Sequence, residues 1–161
     1  MSHPNIRKAQ ESDAQAIAQI LRDLGWFVWI NSTSEETTVA QIQQHIAQCQ
    51  ESDSHSIYVA ENAESNVIGY VTVHWLLCPF LPKLQGYVSE LFVLDGNRGQ
   101  GIGKSLLAAV IREAKIRECL WLMLLNHKER ESYQRQFYRK QGWIEREFIA
   151  NFIYPLNAGS P

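Results

Sequence analysis

Within Val93 to Lys104, where a predicted strand runs directly into an amphipathic helix, the segment Arg98 to Lys104 places three glycines, Gly99, Gly101 and Gly103. Glycine there admits positive φ and lets a ligand approach the main chain, while the helix behind offers unpaired N–H groups and the positive end of its dipole. That combination suits a diphosphate. A tight strand-to-helix turn would use glycine for geometry alone, and the loop taken by itself leaves both uses open. Spacing removes two other phosphate loops. GxxxxGK[ST] ending at Gly103-Lys104-Ser105 requires glycine at position 98, where Arg98 stands. GxGxxG would put Lys104 or Leu106 at its third glycine.

The flanking elements follow from periodicity. Residues 5–9 read as a short strand, and Ser12 with Gln15 as the capping box of a helix striped by Ile17, Ile20, Leu21 and Leu24 and ended by Gly25. A second helix is predicted from Ser32–Ser34, with stripe Val39, Ile42, Ile46 and Cys49. Trp26, Phe27 and Trp29 lie between the two. Ile57–Ala60 and Val67–Leu77 form a predicted hairpin, and Gly86–Leu94 a further strand. The helix after the loop runs from about Gly103 to Arg117. The apolar run Leu120–Leu125 suggests a strand buried on both faces. Residues 130–141 look helical up to Gly142, and Phe148–Tyr154 looks like the last strand. The expectation is one α+β domain with a mixed sheet, residues 1–156, followed by a tail at 157–161.

Composition narrows the partners. A chain of 161 residues with 45% hydrophobic content can bury a core without disulfides. A net charge of −2 gives no global basic field for nucleic acid or an anionic membrane. The longest apolar runs fall short of the ~20 residues that span a bilayer. Cys49, Cys78 and Cys119 form no CxxC pair, which points to a reducing, cytoplasmic setting, and the five histidines show no ligand spacing, so no metal is assigned.

Arg98-Gly99-Gln100-Gly101-Ile102-Gly103 resembles the coenzyme A signature (Q/R)xxGxG/A of the GNAT N-acetyltransferases. Ile6-Arg7 before Asp13, two early helices, the hairpin, Leu91–Val93, Leu120–Asn126 and Phe137-Tyr138 with Gly142-Trp143 come in the family order. The resemblance implies a GNAT-type fold, a mixed and mostly antiparallel central sheet with helices on both faces. It also implies acetyl-CoA as co-substrate, its pyrophosphate held by the loop from Arg98 to Lys104, with Gly99, Gln100, Gly101, Ile102 and Gly103 between them.

Further roles come from the same resemblance. A main-chain N–H around Phe92, Val93 and Leu94 would serve as oxyanion donor. Asn126 matches the asparagine that contacts the pantetheine arm or orders the following helix; by itself it would be an ordinary strand-end residue. Tyr138 matches the tyrosine placed near the coenzyme sulfur as general acid, against which stands a core tyrosine with a satisfied hydroxyl. Glu90 matches a carboxylate that accepts the amine proton directly or through water; alternation makes it equally a solvated strand residue. Ser132 stands where alanine often follows the family's asparagine.

The resemblance implies acetyl transfer to a primary amine of a small molecule or peptide, by direct attack in a ternary complex. Transfer to a hydroxyl or of a longer acyl group stays open, as does a catalytically silent acetyl-CoA-binding regulatory or interaction module. The aromatic residues Trp26, Phe27, Trp29, Trp75, Phe80 and Tyr87 would suit an acceptor with an apolar part, or equally a core and a homodimer contact.

Overall fold

β-Branched and aromatic residues build the strands that lead into the glycine loop, and apolar stripes at helical spacing cover them. A computed structural model describes residues 4–156, so the tail expected at 157–161 lies outside the described residues. The chain divides into two compact units, one ending at Leu125 and the other beginning at Asn126.

The first unit contains β1 (Asn5–Lys8), α1 (Ala14–Leu24), α2 (Val28–Ser32), α3 (Glu35–Ser52), β2 (His55–Glu61), β3 (Val67–Leu76), β4 (Gln85–Val93), α4 (Ile102–Ile116) and β5 (Trp121–Leu124). The strands form one sheet in the order β1-β2-β3-β4-β5, antiparallel except for the parallel pair β4 and β5. Ile57, Val59 and Tyr70 turn to one face, where they pack with Ile17, Ile20 and Leu21 of α1 and Ile46 of α3. Their neighbours Ser56 and Tyr58 turn to the other face and donate to Glu113 of α4, at 3.0 and 2.8 Å. Helices therefore cover both faces of a mostly antiparallel α+β sheet.

Local chemistry sets the helix ends. The cap ahead of α1 is made by Asp13, not by Ser12 with Gln15: the Asp13 carboxylate accepts from the Gln10 amide at 2.7 Å, and a 3-10 turn at Glu11–Asp13 precedes the helix. Gln15 instead bonds Glu35 of α3. Gly25 closes α1 at φ +66. Ser34 caps α3 by accepting from Thr37 N at 3.2 Å. The aromatic connection between them folds into α2.

The Leu120–Leu125 run is not buried on both faces. β5 is the end strand of the described sheet, with Trp121 and Leu125 exposed. Its apolar continuity reflects one strand neighbour and partial cover, a pattern that composition does not separate from full burial.

The second unit begins with Asn126 and contains α5 (Glu131–Gln134) and a 3-10 turn, Arg139–Gln141, ended by Gly142 at φ +85. The helix expected across 130–141 is interrupted because Gln136 takes φ +57. The strand expected at Phe148–Tyr154 does not form among the described residues; Phe148, Phe152 and Tyr154 are exposed. β-Propensity is fit to a paired, half-buried surface, and this unit contains no described strand to supply the ladder.

Candidate active site

The glycine loop has the shape its composition suggests. After β4 the chain makes a 3-10 turn at Asp95–Asn97, then Gly99 and Gly101 take φ +78 and +81. A Cβ on either would meet nothing within 4 Å, so the glycines border open space rather than packed protein. Gly103 differs from the expectation: it lies inside α4, not in the left-handed region. Its place on the first helical turn makes its N–H one of the orphan donors of that end.

Main-chain donors accumulate on this segment. The amides of Asn97 and Arg98 are used within the turn, at 2.9 and 3.2 Å, and Ser105 N donates to Gly101 O at 3.0 Å. Between them, among the described residues, the amides of Gly99, Gln100, Gly101, Ile102, Gly103 and Lys104 make no main-chain hydrogen bond of ordinary length and angle. Side chains fill other roles. Ile102 is buried and anchors α4, Gln100 reaches back to Gly96 O at 3.4 Å, and Lys104 is exposed. Arg98 is turned onto the loop itself, donating to Val93 O at 3.1 Å and pairing with Asp95 at 2.6 Å.

The strand before the loop is shaped to expose its backbone. Thr72 pairs with Glu90 but Val73 pairs with Val88, so Ser89 is the extra residue of a β-bulge. β5 follows β4 only as far as Val88, where it pairs with Leu124. Beyond that point the two strands part. Leu94 N donates to Ile68 O on β3 at 3.0 Å. Ladder alternation then turns Phe92 N–H towards β3 as well, and the N–H groups of Leu91 and Val93 towards the opened side. Among Phe92, Val93 and Leu94, Val93 is thus the residue whose amide turns away from β3, to the opened side. The Phe92 ring packs inward, edge-on to Trp26, Phe27 and Tyr70 at 5.9, 5.6 and 5.8 Å.

Glu90 lies on the same face as Phe92 and Tyr70 and is partly buried rather than fully solvated. Its Oε1 accepts from the Tyr70 hydroxyl at 3.3 Å. Burial and the nearby Glu90 charge push the Tyr70 phenol far above its ordinary range, so it stays a donor. Thr72, directly across from Glu90, has a buried Oγ1 without a partner among the described residues. His74 follows on that face, 3.1 Å from Ser89 Oγ and stacked on His55 at 5.3 Å; burial, then His55 and His45, hold its pKa below the ordinary value. None of Tyr70, Thr72, Ser89 or His74 carried a sequence signal. The bulge that sets which side chains face Glu90 is not readable from residue spacing.

Two further positions belong to the second unit. Asn126 Oδ1 accepts from Ser132 Oγ at 3.0 Å, so the serine that stands in place of alanine fixes the asparagine against α5. Tyr138 packs between Phe137 and Trp143, at 5.0 and 5.9 Å between ring centroids, and burial pushes its phenol up to about 12. Among the described residues no hydrogen-bond partner meets its hydroxyl.

Burial pushes the Cys49 thiol up to about 11 and raises that of Cys119. Among the described residues no three His, Cys, Asp or Glu side chains gather as a metal would need. No helix of the described residues is long and apolar enough to cross a membrane.

Comparison with known proteins gives these observations a context. The family model for the acetyltransferase (GNAT) domain matches residues 53–145. Among solved structures, a transcriptional regulator from Bacillus halodurans C-125 superposes with a TM-score of 0.77 at 22% identity, over 94% of this chain and 100% of that one. An aminoglycoside acetyltransferase from an uncultured soil metagenomic sample gives 0.74 at 22%, over 96% and 97%. Glucosamine-6-phosphate N-acetyltransferase from Arabidopsis thaliana gives 0.73 at 20%, over 96% and 100%. No curated protein matches the sequence.

Proposed function

Because the chain belongs to the acetyltransferase (GNAT) domain family, we propose that it binds acetyl-CoA through the loop from Arg98 to Lys104 and transfers the acetyl group to a primary amine of a small molecule or peptide. Residues 1–156 act as one catalytic domain; the family match runs across the boundary between the two units. The observation that carries the proposal is the succession of unengaged amides from Gly99 to Lys104 at the head of α4, opened by two left-handed glycines. Such donors, added to a helix dipole, suit the coenzyme diphosphate.

The chemistry divides among few groups. An alkylammonium acceptor must first lose a proton, and Glu90 is the carboxylate positioned to take it, directly or through water. The amine nitrogen then attacks the thioester carbonyl carbon; a C–N bond forms and the carbonyl π pair moves to oxygen. The Val93 N–H, facing the opened side of β4, is the donor for that oxyanion. Collapse re-forms the carbonyl and breaks C–S, and Tyr138 protonates the departing thiolate; the nitrogen loses its remaining extra proton to solvent. A phenol held up near 12 is fully protonated at neutral pH and so is loaded for this step. Asn126, fixed by Ser132, holds the pantetheine arm.

Direct transfer in a ternary complex is favoured over an acyl-cysteine route: burial raises the Cys49 and Cys119 thiols, and neither Cys78 nor Cys119 has a paired histidine in a sequence motif. The free cysteines Cys49, Cys78 and Cys119 support a reducing, cytoplasmic setting. A thermal-shift titration tests the first step. Saturating acetyl-CoA raises the melting temperature by mass action, and no response at millimolar concentration contradicts the assignment.

A further inference from the structure

We propose that Tyr70 is a positioning residue for this reaction: its hydroxyl, rising from the core, fixes the Glu90 carboxylate in the orientation that receives the acceptor's proton. The inference rests on the role given to Glu90 above.

Tyr70 is among the largest fully buried side chains, 2% exposed, held edge-on by Phe92 inside the cluster formed with α1 and α3. A buried phenol normally needs a partner for its hydroxyl. Among the described residues Tyr70 has one, Glu90 Oε1 at 3.3 Å, and that partner is a partly exposed carboxylate on the neighbouring strand. A phenylalanine would fill the same apolar space without needing any partner, so the hydroxyl serves the carboxylate and not the core.

The surroundings of Glu90 make such a tether consequential. Glu90 directly follows Ser89, the bulged residue, where the β4 backbone changes its twist and β5 has left it. A carboxylate on such a segment has rotamers to choose from, and the rigid ring below removes that choice. Thr72 on the paired position adds a second buried hydroxyl, with no partner among the described residues.

The test is a double-mutant cycle on the full chain with Tyr70→Phe, Glu90→Gln and both together. Thiol release from acetyl-CoA is followed with tyramine, spermidine and a lysine-containing peptide as acceptors. Tyr70→Phe is expected to lower kcat roughly tenfold with the KM for acetyl-CoA unchanged, and to add nothing once Glu90 is glutamine. A slow Glu90→Gln with a normal Tyr70→Phe overturns the positioning role alone. An unaffected Glu90→Gln overturns Glu90 as proton acceptor, and the role of Tyr70 with it. A Tyr70→Phe loss that persists in the Glu90→Gln background marks Tyr70 as merely structural. Melting temperatures of the same four proteins give an acceptor-independent reading: strict additivity means that the bond is not made and overturns the proposal.

Discussion

The guanidinium of Arg98 donates from Nε to the carbonyl of Val93 at 3.1 Å, tying the last residue of β4 to the loop that follows it. The same side chain pairs with Asp95 at 2.6 Å, so the turn between them is closed by one residue. Arg98 is therefore a brace for the amide-bearing segment as well as a charge beside it.

Replacing Arg98 by alanine should weaken acetyl-CoA binding without unfolding the protein. One hydrogen bond involving a charged group and one half-exposed ion pair are lost, and a penalty of about 1 kcal/mol corresponds to a several-fold higher Kd. Isothermal titration with acetyl-CoA measures it. An unchanged Kd means that the loop holds its shape without the brace.

Gly101→Val should abolish acetyl-CoA binding. The position has φ +81 and open space around it, so the new side chain meets no protein but stands where a diphosphate would approach. The left-handed backbone adds a strain of roughly 1–2 kcal/mol, worth a few degrees of melting temperature at this chain length. Circular dichroism near native with no acetyl-CoA shift is the expected pair of results; normal binding would reduce the loop to a turn.

The loop was legible because Gly99 and Gly101 need conformations that few other residues adopt. The stripes of α1 and α3 were legible because helical period and burial coincide at Ile17, Ile20, Leu21 and Ile46. β5 and Phe148–Tyr154 misled for one shared reason: apolar β-formers record a preference for a paired surface, not whether the partner is present. The environment of Glu90 was not legible at all, since it depends on an extra residue at Ser89 that shifts the register by one. Likewise, nothing in the spacing of Ser132 and Asn126 announces the bond between them.

Acid should act through the network at Glu113. Burial alone would raise this carboxyl, but hydrogen bonds from Tyr58, Arg117, Lys8 and Ser56 hold it below the usual carboxylate range. Its folded pKa is lower than its unfolded one, so its contribution to stability is present above about pH 4.3 and is lost as the pH falls through the folded value. Burial likewise opposes and Arg7 depresses Asp13, which adds to the same loss. Glu113→Gln should cost roughly 1–3 kcal/mol at pH 7 and flatten the fall in stability below about pH 4. Urea unfolding of both proteins across that range checks the sign.

Tyr138→Phe should act on turnover rather than on binding. General acid catalysis is typically worth ~10²- to 10⁴-fold, so kcat should fall within that span while the Kd of acetyl-CoA changes little. With its phenol near 12, Tyr138 remains protonated through neutral and mildly alkaline pH, and should impose no basic limb on the rate profile below about pH 10. A normal kcat under conditions where chemistry limits the rate would retire Tyr138 as the acid.

Release of free coenzyme A thiol from acetyl-CoA, followed across a panel of primary amines with mass detection of the N-acetyl product, tests the central claim most directly. The expected result is saturable, amine-dependent thiol release well above the hydrolysis rate, with stoichiometric acetamide product, sharply reduced in Tyr138→Phe. Binding of acetyl-CoA with no amine raising thiol release above hydrolysis would contradict acetyl transfer to an amine and leave a silent acetyl-CoA-binding module in its place.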